Sequence, residues 1–224
     1  MRQNKTLALT LRRTNFGEAD RIVNLITPSG KIAAVARGAR RQKSKLAGGI
    51  EVFSLNEVVL IEGRSDMKTI SSARMKEFFG EIIKDLDRTE FGYAAIKQIA
   101  RASEHIQSAA FFEILLTTFR SLNDFAIPLE LTRNWFELNL AAAIGEEINL
   151  EIDNEGEKLS AEKRYEFDNF DKVFVVRETG RFGADHIKFL RLMLASEPRI
   201  LAKISGGQKI LMDISEIIYS LSGR

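Results

Sequence analysis

Arg21-Ile-Val-Asn-Leu-Ile-Thr-Pro-Ser-Gly-Lys-Ile-Ala-Ala-Val-Ala-Arg37 decides how this chain is read. Two runs rich in β-branched and small apolar residues, 21–27 and 31–37, flank Pro28-Ser-Gly30, a tight-turn signal, so the stretch predicts two paired strands. Upstream, Thr6-Leu-Ala-Leu-Thr-Leu-Arg12 alternates with period two and predicts a strand with Leu7, Leu9 and Leu11 on one face. Asn15-Phe-Gly-Glu18 joins it to the pair as a turn. Downstream, residues 50–62 predict a long fourth strand, Gly63-Arg-Ser-Asp66 a break, and residues 67–73 a fifth strand. Five short strands with tight turns predict a small barrel or sandwich.

The second strand of the pair runs straight into Arg37-Gly-Ala-Arg-Arg-Gln-Lys-Ser-Lys45, a basic loop closed by Gly48-Gly49. Residues 21–50 hold seven basic side chains and no acidic one: Arg21, Lys31, Arg37, Arg40, Arg41, Lys43 and Lys45. Through Gly80 there are fifteen Lys and Arg against seven Asp and Glu, a net of +8; the remainder carries 18 against 24, a net of −6. The formal whole-chain charge of +2 therefore hides two regions of opposite sign. The bland reading of such a run is a solvated loop. A focused positive field on a near-neutral chain is also the footprint of a polyanion binder.

From Phe78 the apolar period becomes helical, which places a domain boundary within 78–87. Phe91, Ala95, Ile99 and Ala102 share one helical face. Residues 111–125 are apolar nearly all round, as in a central bundle helix. Pro128 opens the next helix, which carries Trp135, Leu138 and Ala142 and is capped by Gly145. Asp185 reads as the N-cap of a helix holding Phe189, Leu190, Met193 and Leu194. A last helix after Gly206-Gly207 lines up Ile210, Ile214, Ile217, Ile218 and Leu221, with Gly223 as its stop. Between Gly145 and that N-cap lies an acidic, polar stretch with a turn at Asp153-Asn-Glu-Gly156 and a strand-like run at Lys172-Val-Phe-Val-Val176.

Several function classes lose their support. The chain has no cysteine, which removes disulfides, thiol nucleophiles and zinc–thiolate sites. Gly30-Lys31 is followed by Ile32, not Ser or Thr, so no P-loop is present. His105 and His186 are the two histidines, neither with another at ligand spacing, and both read as surface or cap-adjacent side chains. Glu146-Glu147 and Asp153/Glu155 read as solvated loop acids. Nothing assembles a constellation for bond-making chemistry, so a non-enzyme is expected. No apolar run reaches the roughly 18 residues of a membrane span. Met1-Arg-Gln-Asn-Lys5 leads directly into a strand, which predicts no secretory leader and a cytoplasmic protein.

Specific residues then point to a family. Phe16-Gly-Glu-Ala-Asp-Arg-Ile-Val23, Leu25-Ile-Thr-Pro28, Gly30-Lys-Ile32, Ala36-Arg-Gly-Ala-Arg-Arg41, Ser44-Lys-Leu46, Glu51-Val-Phe-Ser-Leu55 and Glu62-Gly-Arg64 occur in order across residues 5–75. Together they resemble the opening of the RecO family of bacterial recombination mediators. The resemblance implies an α+β, multi-domain protein. Residues 1–80 would form a five-stranded OB-fold barrel that binds nucleic acid, and residues 81–224 a helical bundle domain. It implies DNA repair and recombination through binding of single- and double-stranded DNA and strand annealing. With RecR, such a protein would load RecA onto DNA coated by single-strand-binding protein, and no cofactor is implied. Many family members carry a cysteine zinc finger in the helical domain. Here a metal-free β insertion at about 146–183 would replace it, held by Phe167, Phe170, Phe174 and Val176.

The family's basic OB surface maps onto Arg37, Arg40, Arg41, Lys43 and Lys45. Lys31 and Arg21 are further candidates, Arg21 the weaker because Glu18 and Asp20 can pair with it or with Arg13. Phe16 is the one aromatic left for base stacking. Phe53 alternates with Leu55 and reads as core, while Phe78 and Phe79 seal the junction with the helices. Phosphate contacts do not identify the sugar, so an OB-type RNA binder remains an alternative; a protein-interaction scaffold with acidic partners is another.

Overall fold

The computed structural model describes residues 3–62 and 67–221. The expected turn at 63–66, with Arg64, and the helix stop at Gly223 lie outside them. The chain divides into two compact units, Met1–Asn123 and Asp124–Arg224.

The first unit is built on five strands: β1 (Gln3–Phe16), β2 (Asp20–Thr27), β3 (Gly30–Ala36), β4 (Ser54–Ile61) and β5 (Lys68–Phe78). They close into a barrel in the order β1-β2-β3-β5-β4, with β4 antiparallel to β1 and β3 parallel to β5. This is the OB-fold arrangement. The β2–β3 hairpin is the one expected from 21–37, its turn closing between Thr27 and Gly30. The fourth strand is shorter than expected, because Ala47–Ile50 forms a turn of 3-10 helix instead.

The barrel interior is lined by small and medium side chains at alternate positions: Ala8, Val23, Leu25, Ala34, Ala36, Val58, Leu60 and Ile70. Ala39 from the basic loop and Ile50 from the 3-10 turn join the same cluster. The expected Leu7-Leu9-Leu11 face is therefore not the barrel core. Ala8 points inward, so Leu7 and Leu9 point outward. Leu7 is 37% exposed, whereas Leu9 and its cross-strand partner Ile26 are fully buried. Two helices, α1 (Leu86–His105) and α2 (Ala110–Leu122), lie against β1, and α2 also against β2. The change of period at Phe78 thus marks the end of the barrel, while compactness continues through the covering helices to Asn123.

Phe53 holds this cover in place. Its backbone sits at φ 54°, a region that costs a bulky residue on the order of 1–3 kcal/mol. Its ring is buried edge-on against Tyr93 (4.9 Å between centroids) and Phe119 (5.3 Å). Gly92 leaves the room for it, since a Cβ there would stand 2.7 Å from the Phe53 ring. Phe79 is buried as expected, but Phe78 is 51% exposed on the last position of β5.

The second unit contains α3 (Leu129–Ala143), α4 (Ala184–Ala195), α5 (Pro198–Leu201) and α6 (Gly207–Leu221). Gly145, at φ 83°, ends α3 as expected: the Glu146 N–H reaches back to the Ala141 carbonyl at 2.8 Å. Trp135 is buried and its indole N–H donates to the Ser196 carbonyl at 2.8 Å. The N-cap of α4 is Gly183 rather than Asp185, and His186 Nδ1 accepts the Gly183 N–H at 3.1 Å. Helix α2 of the first unit ends at Leu122, leaving Phe125 half-exposed outside it.

The insertion forms a hairpin, β6 (Tyr165–Asp168) with β7 (Val173–Val176). Its centre is Phe174, fully buried, with Tyr165, Phe167 and Phe182 edge-on around it at 5.2–6.1 Å. Phe170 does not take part as expected. It is 92% exposed at the hairpin tip, where Asp168 Oδ1 accepts the Phe170 and Asp171 N–H groups and fixes the turn. Tyr165 and Phe182 supply the packing instead, joined by backbone bonds in both directions at 2.8 and 2.9 Å. Among the described residues no group of three or more His, Cys, Asp or Glu is placed to hold a metal.

Two pairs of variants test these contacts by urea unfolding. A Cβ at Gly49 would lie 2.4 Å from the Ala73 backbone, whereas one at Gly48 meets nothing within 4 Å. Gly49→Ala should cost about 1–3 kcal/mol, and Gly48→Ala no more than about 0.5 kcal/mol. Phe174→Ala should cost about 3–5 kcal/mol, and Phe170→Ala almost nothing. Equal midpoints within either pair would contradict the packing described.

Candidate nucleic-acid interface

Residues 37–46 leave β3 at Ala36 and reach the 3-10 turn at Ala47. They carry five cations in nine positions, yet the loop has a defined path. Gly38 adopts φ 66°, which suits glycine, and the stem of Arg41 lies beside it. Asp20 Oδ1 accepts the Gly38 N–H at 2.7 Å. The Arg40 N–H donates to the Ala19 carbonyl at 2.9 Å, and the Arg40 guanidinium to the Gly17 carbonyl at 3.3 Å. Three bonds thus tie the loop to the β1–β2 turn. Between them Ala39, 2% exposed, is anchored in the barrel cluster, and Leu46 packs on it from the far end.

The consequence is a display of charge. Arg37, Arg40, Arg41, Lys43 and Lys45 are all exposed, and none enters an ion pair among the described residues. Exposed guanidinium and ammonium groups without carboxylates beside them are met by mobile ions, which a polyanion displaces. Arginine can also grip a phosphate with two N–H groups at once.

Lys31 and Arg21 are placed differently. Lys31 sits at the opposite end of β3, six residues from Arg37, or roughly 20 Å along the strand. Its ammonium donates to the Ala100 carbonyl at 3.1 Å and lies 3.5 Å from Glu104, so it is tied to α1. Arg21 is beside the loop, opposite Ala36, but it is half-buried and its Nε has no hydrogen-bond partner. The expected pairing of Glu18 or Asp20 with Arg21 or Arg13 is absent among the described residues. Asp20 serves Gly38 instead, and Arg13 pairs with Glu51.

Phe16 ends β1 directly before Gly17, whose carbonyl Arg40 holds, and is 53% exposed. The structure brings it to the edge of the basic loop. Sequence reasoning did not find Arg12. Opposite Asn24 and exposed, it shares the outer side of β1 with Thr14 and Phe16. Its signal was the period-two spacing, Arg12-Thr14-Phe16, which the interior bulge between Thr10 and Arg12 obscures.

Asp20→Ala should speed hydrogen exchange of the Gly38 amide by an order of magnitude or so, consistent with loss of one charge-assisted bond. Asp20→Asn, which keeps an accepting oxygen, should restore much of the protection. Unchanged exchange in the alanine variant would mean that Asp20 does not hold the loop.

Comparison with known proteins bears on this site. Residues 1–79 match the family described as Recombination protein O N terminal, which covers the barrel and its basic loop. The chain is 37% identical over 142 residues to the DNA repair protein RecO of Roseiflexus sp. (strain RS-1), a stretch covering 63% of this chain and 50% of that protein. It is 35% identical over 164 residues to the DNA repair protein RecO of Dehalococcoides mccartyi (strain CBDB1), covering 72% and 64%. The DNA repair protein RecO of Heliobacterium modesticaldum is 28% identical over 230 aligned positions, covering 97% and 83%. The chain thus spans about half to two thirds of the length of the first two relatives.

Proposed function

We propose that this chain, whose N-terminal barrel belongs to the Recombination protein O family, acts in DNA repair and recombination as a non-enzymatic binder and annealer of DNA strands. The barrel, residues 1–80, is the nucleic-acid-binding domain. Residues 81–224 supply the helices, α1 and α2 within the barrel's compact unit and the others in the second unit, with the aromatic hairpin within 146–183 standing where family members carry a zinc finger. The observation that carries the reading is the pinned loop of Arg37, Arg40, Arg41, Lys43 and Lys45, exposed and outside any ion pair among the described residues.

These side chains contact phosphates, which position a strand without reading its bases. Phe16 supplies one stacking surface, worth roughly 1–3 kcal/mol per base. Arg21 and Arg12 flank the track, and Lys31 contributes through the field rather than by contact. Binding of this kind discriminates weakly between single and double strands. An annealer uses that property: it screens two backbones while they pair and releases a duplex it has not read. With RecR, the same activity would deliver RecA to DNA covered by single-strand-binding protein. No helix among the described residues is long and apolar enough to cross a membrane.

Alanine at Arg40, Arg41, Lys43 and Lys45 should lower affinity for single- and double-stranded oligonucleotides at least tenfold at low salt. The log–log salt slope for single strands should become shallower by up to about 3, at about 0.7 per lost contact. Strand annealing in the presence of single-strand-binding protein should fall with it. Unchanged affinity in a folded variant would remove the loop as the DNA site. Preference for RNA of matched length would favour the RNA-binding alternative.

A further inference from the structure

An annealer must hold a second backbone, and the basic loop is one track. The outer side of β5 offers another. Exposure alternates along this strand, so Ser72, Arg74, Lys76 and Phe78 all project outward while the residues between them are more buried. Successive members are two residues apart, roughly 6–7 Å along the strand, although the pairing with β4 shifts register at Lys76, between Met75 and Glu77. Arg74 and Lys76 therefore stand close enough together to meet phosphates of one backbone. Arg74 and Lys76 enter no ion pair among the described residues. Lys5 extends the charge across β4: it bonds Glu57 at 3.0 Å, and Glu57 lies directly opposite Arg74.

Glu57 is the carboxylate within this group. The Lys5 hydrogen bond, with the nearby charges of Lys5, Lys76 and Arg74, holds its carboxyl below the usual carboxylate range. Three cations around one anion leave a local net of +2. The neighbouring Glu77 is turned to Arg120 at 3.1 Å. Phe78 closes the row. Gly80 lies beneath its ring, where a Cβ would come within 2.9 Å, and the ring is 51% exposed. The row is also joined to the loop. Gly49, at the loop's far end, sits against the backbone of Ala73, next to Arg74.

We propose that Arg74, Lys76 and Phe78, supported by Lys5, form a second nucleic-acid track on the β1–β4–β5 wall that takes the complementary strand while the basic loop holds the first. This rests on the reading of the loop as a DNA site. It goes beyond it by assigning the two strands to different walls of one barrel, joined where Gly49 meets Ala73. Phosphate contacts come from the two cations, and Phe78 stacks on a base.

The test uses the full chain with Arg74→Ala/Lys76→Ala, and with Arg74→Lys/Lys76→Arg as the variant that keeps the charges. Expected for the alanine pair are single-strand affinity within about twofold of the wild type and annealing slowed roughly fivefold or more at low salt. The charge-keeping pair should anneal like the wild type, which separates lost contact from a damaged fold. Unchanged annealing by the alanine pair would overturn the second track while leaving the loop reading intact. A fall in annealing that merely matches a fall in single-strand affinity would also overturn it, since one continuous site would then suffice. If the wild type binds an acidic peptide through these residues and anneals without them, the wall serves a protein partner and the assignment fails. If the wild type binds no DNA, the loop reading itself fails and carries this one with it.

Discussion

Five like charges within nine residues repel one another, and the barrel beneath keeps them on one surface. The hold is modest in parts and firm in sum: one carboxylate on the Gly38 amide, two bonds from Arg40 to the β1–β2 turn, and Ala39 set in the barrel cluster. Asp20 is the acid that reaches the loop, and its accepting oxygen is turned to a backbone N–H rather than to a neighbouring cation. The loop therefore gains a defined path while none of its cations enters an ion pair among the described residues. Both the reading of function and the second track depend on that hold, in which backbone bonds, the Asp20 carboxylate, a methyl group and the Arg40 guanidinium fix the loop and leave Arg37, Arg41, Lys43 and Lys45 to solvent.

Much of the barrel was legible because its signals are local. Pro28-Ser-Gly30 demanded a turn, and alternation on either side demanded strands. The direction of β1 was not legible. Three leucines outranked Ala8 in any hydrophobicity reading, yet a narrow barrel takes the alanine inside and keeps the leucines out of its core cluster, Leu9 and Leu11 buried and Leu7 exposed. The same limit applies to the site. Charge density marked the loop residues, which are indeed gathered and exposed. It could not reveal that Lys31 is held by α1, because Ala100 and Glu104 are about seventy residues away. Nor could it single out Arg12, Arg74 and Lys76, whose placement follows from strand register rather than from composition.

The hairpin in the second unit is held together by aromatic packing. Phe174 is enclosed by Tyr165, Phe167 and Phe182, and Gly180 allows the chain to pass against the Tyr165 backbone. Arg181 adds exposed ion pairs to Glu166 and Glu216, linking the hairpin to α6. Such exposed pairs contribute little stability. Aromatic burial therefore does most of the holding, and spacing of aromatics alone did not reveal which ring would be left outside.

The central claim is that a nucleic acid is held through its phosphates by an uncompensated cationic loop. The most direct measurement is the affinity of the intact chain for an oligonucleotide as a function of salt. The predicted result is a linear log–log dependence with a slope of about −3.5 for single strands, from five contacts at about 0.7 each. An affinity that hardly changes with salt would mean that the grip lies elsewhere, and would contradict the claim.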